Sequence, residues 1–268
     1  MMKSVRTITP PVTDSESKMG LSHSPSIVTD GLVLCLDAAN PRSYSGSGTS
    51  WLDLSGNSEN FSMINGTVVD SENKGSMALD GVNDYIRSTT FFTGNYWSDN
   101  GAWSVVSFHK IDSIALYASS ALMGSQLHTS EPSPIGGFGL MLATYNTPKR
   151  YQGWMSYESG GTKTQYAFGD TNAVIDLGEI TFVAAVYDPE NNTGKLYKNG
   201  NLVSTTTNAS FNWTPRTSGR DIRIGIGAQG GWTNAWSGNI YNMSIYNKAL
   251  SASEVLQNYL ATKSRFNL

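Results

Sequence analysis

The chain has 268 residues, 15% of them charged, and a net charge of −3. Its 18 Lys and Arg are scattered, which argues against the basic stripe of a nucleic-acid binder. Its longest apolar runs, such as Ile180–Tyr187, are too short to insert across a bilayer as helices.

Residues 1–29 stand apart. They hold Thr9-Pro10-Pro11, a polar stretch over Asp14–Lys18 and Ser22-His23-Ser24-Pro25-Ser26, with no periodicity and few large apolar side chains. That pattern predicts an extended arm or linker, held by its own domain or by a neighbouring subunit. Lys3 and Arg6 are not followed by an apolar run, so Met1–Pro11 does not read as an export signal.

From Asp30 onward the signals are strands. The 27 Gly and the abundance of Ser, Thr and Asn are what short strands and tight turns need. Gly31–Asp37 is apolar, and its lone Cys35 reads as a small buried hydrophobe. Ala102–Ile111 puts Trp103, Val105, His109 and Ile111 on one face and Val106 and Phe108 on the other, which predicts a central strand covered on both sides. Phe138–Tyr145 and Tyr151–Tyr157 form a further pair, and Ile180–Tyr187 is apolar on both faces. Gly194–Lys198 and Leu202–Thr206 flank Asn199-Gly200, the pair that suits a type I′ hairpin turn. Asp221–Gly227 alternates, with Ile222, Ile224 and Ile226 inward, and Asn239–Tyr246 is the last strand. Ser251-Ala252-Ser253-Glu254 is a capping box, with Leu250 and Val255 at the staple positions. Val255, Leu256, Tyr259 and Leu260 give the helix an apolar face to dock on a sheet.

Four segments together resemble the laminin-G-like group of the concanavalin A-like lectin/glucanase superfamily. They are Gly31–Asp37 with Asn40-Pro41 and Tyr44; Trp51–Asn57 with Asn65-Gly66; Ser76–Ile86; and the end from Phe182–Asp188 through Lys198-Asn199-Gly200 and Gly238–Tyr246 to Glu254. The resemblance implies an all-β fold: a two-sheet antiparallel jelly-roll sandwich over residues 30–268, with an N-terminal arm over 1–29 and a short C-terminal helix. The opening Leu-Asp-Ala-x-Asn-Pro and the closing Asn-Tyr-x-Ala-Thr-Lys are also similar to structural proteins of tailed phages. This implies a virion protein assembled in the host cytoplasm, oligomeric, and joined to other virion proteins through residues 1–29. The alternative is a lectin or adhesin, on a virion or a bacterial cell surface, that binds a cell-surface glycan.

The superfamily includes glycosidases, so catalysis has to be weighed. A retaining glycosidase needs two carboxylates roughly 5–5.5 Å apart. Laminarinase-type members carry a Glu-x-Asp-x-x-Glu strand, and none of the eight Glu here (16, 59, 72, 131, 158, 179, 190, 254) begins one. His23, His109 and His128 have no nucleophile elbow or zinc spacing around them. The expectation is a non-enzyme. Asp80, Asn83 and Asp84 supply three oxygen side chains over five residues, which suits either Ca2+ or an ordinary Asx turn; Asp53 with Asn57 is a second such cluster. Gln229, Trp232, Asn234 and Trp236 combine aromatic faces with amides, the content of a sugar site, although Trp236 also suits a cap on the core.

Overall fold

The computed structural model describes residues 25–71, 75–89, 101–114, 119–125, 136–143, 148–159, 161–169, 172–207, 221–226 and 235–268. Two antiparallel sheets face each other. Sheet I runs β14 (Asn201–Thr207), β13 (Thr193–Lys198), β12 (Ile180–Asp188), β7 (Trp103–Ile114), β16 (Trp236–Tyr246), β5 (Ser76–Asp80), β4 (Val68–Asp70). β1 (Leu32–Asp37) lies on the same side of β16 as β5: β5 takes Ser237–Ile240 and β1 takes Asn242–Tyr246. Sheet II runs β11 (Thr162–Phe168), β10 (Arg150–Ser159), β9 (Gly136–Ala143), β8 (Ser119–Ser125), β15 (Arg223–Ile224), β6 (Tyr85–Ser88), β3 (Phe61–Ile64), β2 (Ser50–Trp51).

The main core lies between the sheets. Trp103 is at its centre, with ring centroids 5.5 Å from Phe138, 5.8 Å from Phe168 and 6.1 Å from Tyr187. Phe168 of sheet II sits over Gly153 of β10 and Gly194 of β13, and a Cβ at either glycine would overlap its ring. His109 ties the sheets together by polar contacts. Its Nε2 is 2.9 Å from the Tyr151 hydroxyl of β10 and its Nδ1 is 3.1 Å from Ser107 Oγ. Hydroxyls donate or accept, so a neutral ring is satisfied in either tautomer.

A second core lies on the outer face of sheet I. Val106, Phe108, Phe182, Ala184 and Val186 meet Val255 of α1 (Ala252–Lys263) and Phe266 of the 3-10 turn that follows it. This explains why β7 and β12 are apolar on both faces. The capping box forms, with Glu254 N donating to Ser251 Oγ and Ser251 N to Glu254 Oε2. The staple residues Leu250 and Val255 are buried. Leu256 is not on the buried face; it is exposed, and Asn258 takes the inward place. Polarity there has a use. Asn258 Oδ1 accepts from Val28 N at 2.8 Å, and the Tyr246 hydroxyl donates to Val28 O at 3.0 Å. Val28, grouped with the arm on sequence, is therefore buried against the domain.

Asn199 and Gly200 both adopt positive φ, 50° and 81°, as the expected hairpin turn requires. Of the strand expected over Asp221–Gly227, the described residues 221–226 form only Arg223–Ile224. Ile222 and Ile224 do point into the core, but Gly225 turns to φ 95°.

Candidate functional site

The aromatic and amide site expected near the last strand separates on inspection. Gln229, Trp232 and Asn234 lie outside the described residues. Trp236 is a correction: it is fully buried, and its indole N–H donates to Ala121 O of sheet II at 3.3 Å. Its ring joins the sheets and presents no face to a ligand.

The Asp80–Asp84 segment is a turn. Asp80 Oδ1 accepts from the backbone N–H groups of Val82, Asn83 and Asp84 at 2.8, 3.3 and 3.3 Å. Asp84, buried, accepts from Asp80 N through Oδ2. The N–H of Val82 above all holds the Asp80 carboxyl below its usual range; burial, then the charge of Asp80, raises that of Asp84. Asp53 is likewise occupied, accepting from Cys35 N, Ser55 N and Ser55 Oγ. Among the described residues no three His, Cys, Asp or Glu side chains converge as metal ligands. Asp80 Oδ1, Asp84 Oδ2 and both Asp53 oxygens thus accept from nearby backbone N–H or Ser55, the chemistry of Asx turns.

The outer face of sheet II has a different character. Side chains alternate along β10, so Tyr151 and Met155 enter the core while Arg150, Gln152, Trp154 and Ser156 face outward. Following the register across the sheet, Trp154 neighbours Gly139, then Gly124, Arg223 and Arg87. Gly124 and Gly139 are in close approach: a Cβ on either would lie 2.8 Å from the other's Cα. The two positions therefore cannot carry side chains. Three strand steps, about 14 Å, separate Trp154 from Arg223, a trough in the side-chain layer with a backbone floor, although the Trp154 side chain is itself only 7% exposed. The adjacent row is Gly137, Ser156 and Gln165, with Gly137 N donating to Ser156 Oγ at 3.0 Å. Among the described residues Gln165 Nε2 and Arg150 Nε, both buried N–H donors, have no acceptor. Buried donors left unpaired are costly, and a bound acceptor removes the cost.

A second concavity, of about 240 Å³, lies between the β12–β13 turn and the segment after β16, where Asp188, Asn191, Asn247 and Lys248 line it. Its polar groups are matched internally. Asp188 accepts from Asn191 N and Nδ2, and Lys248 Nζ donates to Asp30 at 2.6 Å and Glu254 at 2.8 Å. Of the two, the trough carries more unmet binding capacity.

The model of the concanavalin A-like lectin/glucanases superfamily, in its laminin-G form, matches residues 80–256. The chain belongs to this superfamily. The two sheets are its jelly roll. Comparison with curated protein sequences gives no match. Among solved structures, domain 4 of an extracellular arabinanase from Geobacillus stearothermophilus, in complex with arabinotriose, is 19% identical with a TM-score of 0.60, over 86% of this chain and 98% of that one. A structure of botulinum neurotoxin type C, whose cell entry depends on interaction with two ganglioside molecules, is 14% identical with a TM-score of 0.59, over 87% of this chain and 52% of that one. Trypanosoma rangeli sialidase is 18% identical with a TM-score of 0.57, over 88% of this chain and 34% of that one. The chain thus spans one whole domain of the arabinanase and about half of the neurotoxin chain. At these identities the likeness is one of fold.

The sequence pointed to loop aromatics and passed over this face. The signal was present: Trp154 lies two residues from Gln152 and Ser156 on a strand whose intervening residues are core. Only the pairing of β8, β9 and β10 aligns Trp154 with two glycines and two arginines.

Proposed function

We propose that this chain is a non-catalytic carbohydrate-binding sandwich whose binding face is the outer side of sheet II. The observation that carries the reading is the trough: a Trp at one wall, arginines at the other, a side-chain-free floor, and buried unpaired donors beside it. A sugar presents an apolar face to an aromatic ring and hydroxyl acceptors to N–H donors. Among the outward positions of the described sheet II strands one is acidic, Glu158, the register partner of Lys163, and no second acidic position opposes it as glycoside hydrolysis needs. The arabinanase domain with its arabinotriose and the ganglioside-dependent neurotoxin put sugar recognition on the same fold. On a glycan array the protein will bind a subset of sugars saturably. Trp154→Ala will weaken that binding about tenfold or more; because Trp154 is only 7% exposed the variant will also lose stability, so its binding is measured where circular dichroism shows it folded. A blank array would refute the reading.

The tailed-phage likeness supports a second proposal about setting. The sandwich sits on a virion as a surface or tail component, for attachment to the host, and residues 1–24 form its assembly contact. The clamp on Val28 gives such an arm a fixed root on the domain. The full chain will show an oligomeric mass in solution and a chain lacking residues 1–24 a monomeric one; equal masses would remove the assembly role.

A further inference from the structure

We infer that the trough of sheet II selects negatively charged glycans, sugar chains bearing carboxylate, sulfate or phosphate groups. This rests on the glycan-binding reading above and narrows it.

Arg87 of β6 and Arg223 of β15 are direct register partners on the outward side of the sheet. Side chains so placed have Cβ atoms about 4.5–5.5 Å apart, and like charges there destabilise a sheet. The compensation is one-sided. Asp221 Oδ2 accepts from Arg223 Nε at 2.9 Å, and the Arg223 guanidinium lies 5.4 Å from the centre of the Tyr85 ring. Among the described residues neither the terminal nitrogens of Arg223 nor the exposed Arg87 guanidinium has an acceptor. Two adjacent planar forks, each matched to carboxylate or phosphate geometry, form a clamp for one anionic group.

Charge is also segregated. The chain as a whole is acidic, at −3. Yet the outward strand positions of sheet II hold Arg87, Arg150, Lys163 and Arg223 against one acidic position, Glu158, the register partner of Lys163, with Asp221 lying just ahead of β15. The two buried unpaired groups on the face are both donors, Arg150 Nε and Gln165 Nε2. A face of donors and cations favours a ligand that only accepts.

The test uses the full chain on an array of matched pairs: neutral glycans beside their sialylated, uronate-bearing, sulfated and phosphorylated counterparts. Acidic members will bind at least tenfold more tightly than their neutral partners, less so as salt rises from about 50 to 500 mM. Arg87→Gln with Arg223→Gln will abolish the preference, acidic members falling to the affinity of their neutral partners. It will melt no lower than the wild type, because the opposed charges are gone. Arg87→Lys with Arg223→Lys, which keeps charge without the fork, will retain part of the preference. Equal binding of neutral and acidic members would overturn charge selection and leave sugar binding standing. Failure to bind any glycan would overturn both. The carboxylated, sulfated and phosphorylated arms identify which anion the clamp takes.

Discussion

Phe168→Ala will destabilise the fold by about 3–5 kcal/mol, the usual cost of emptying a buried aromatic site. Phe168 is 1% exposed, and it is the side chain against which both Gly153 and Gly194 are shaped. Gly153→Ala and Gly194→Ala will each cost about 1–3 kcal/mol or more, because the added methyl displaces a ring that has no free volume around it. The three effects are coupled. In the Phe168→Ala background the added methyls enter the vacated space, so Gly153→Ala becomes nearly neutral. Urea denaturation of the single and double variants measures this directly. Additive losses would show that the ring and the glycines do not share one site.

Acid will weaken the fold through His109. Burial pushes its pKa down to about 3, against about 6.5 for an exposed imidazole. The neutral ring is held between Ser107 and Tyr151, whose own phenol burial keeps protonated. Above pH 6.5 neither state binds the proton, and the stability is complete. As pH falls from 6.5 toward 3, the unfolded chain takes up a proton that the folded chain refuses. The loss between pH 7 and pH 4 is about 3 kcal/mol from this one group. His109→Gln removes the titration, so its stability will fall less steeply with acid than the wild type does, even though it starts lower at pH 7. Parallel pH profiles for the two proteins would contradict a buried neutral His109.

How far the sequence reaches depends on the kind of constraint. β7 was legible because alternate residues belong to two different cores, Trp103, Val105 and Ile111 facing sheet II and Val106 and Phe108 facing α1. The β13–β14 turn and the α1 cap were legible because they are local: Asn199-Gly200 and Ser251–Glu254 satisfy their own backbone. β11, with five of its seven residues half-buried, shows no such contrast and went unread. Leu256 and Asn258 exchanged roles for a tertiary reason: the backbone of Val28 needs Asn258, and helical periodicity carries no information about a segment some 230 residues away in sequence. The trough is the extreme case. Trp154, Gly139, Gly124, Arg223 and Arg87 come from five strands and meet only through register. Loop tryptophans in polar sequence drew attention for their composition, and Trp236 among them proved to belong to the core.

The central claim is the location of the binding face. The most direct measurement is an amide-resolved NMR titration of the full chain with the glycan that gives the strongest array signal. Shifts will concentrate on Gly124, Gly137, Gly139, Gln165 and the Trp154 indole N–H, and vanish in Trp154→Ala. Shifts centred on Asn191, Asn247 and Lys248, at the end pocket, would contradict it.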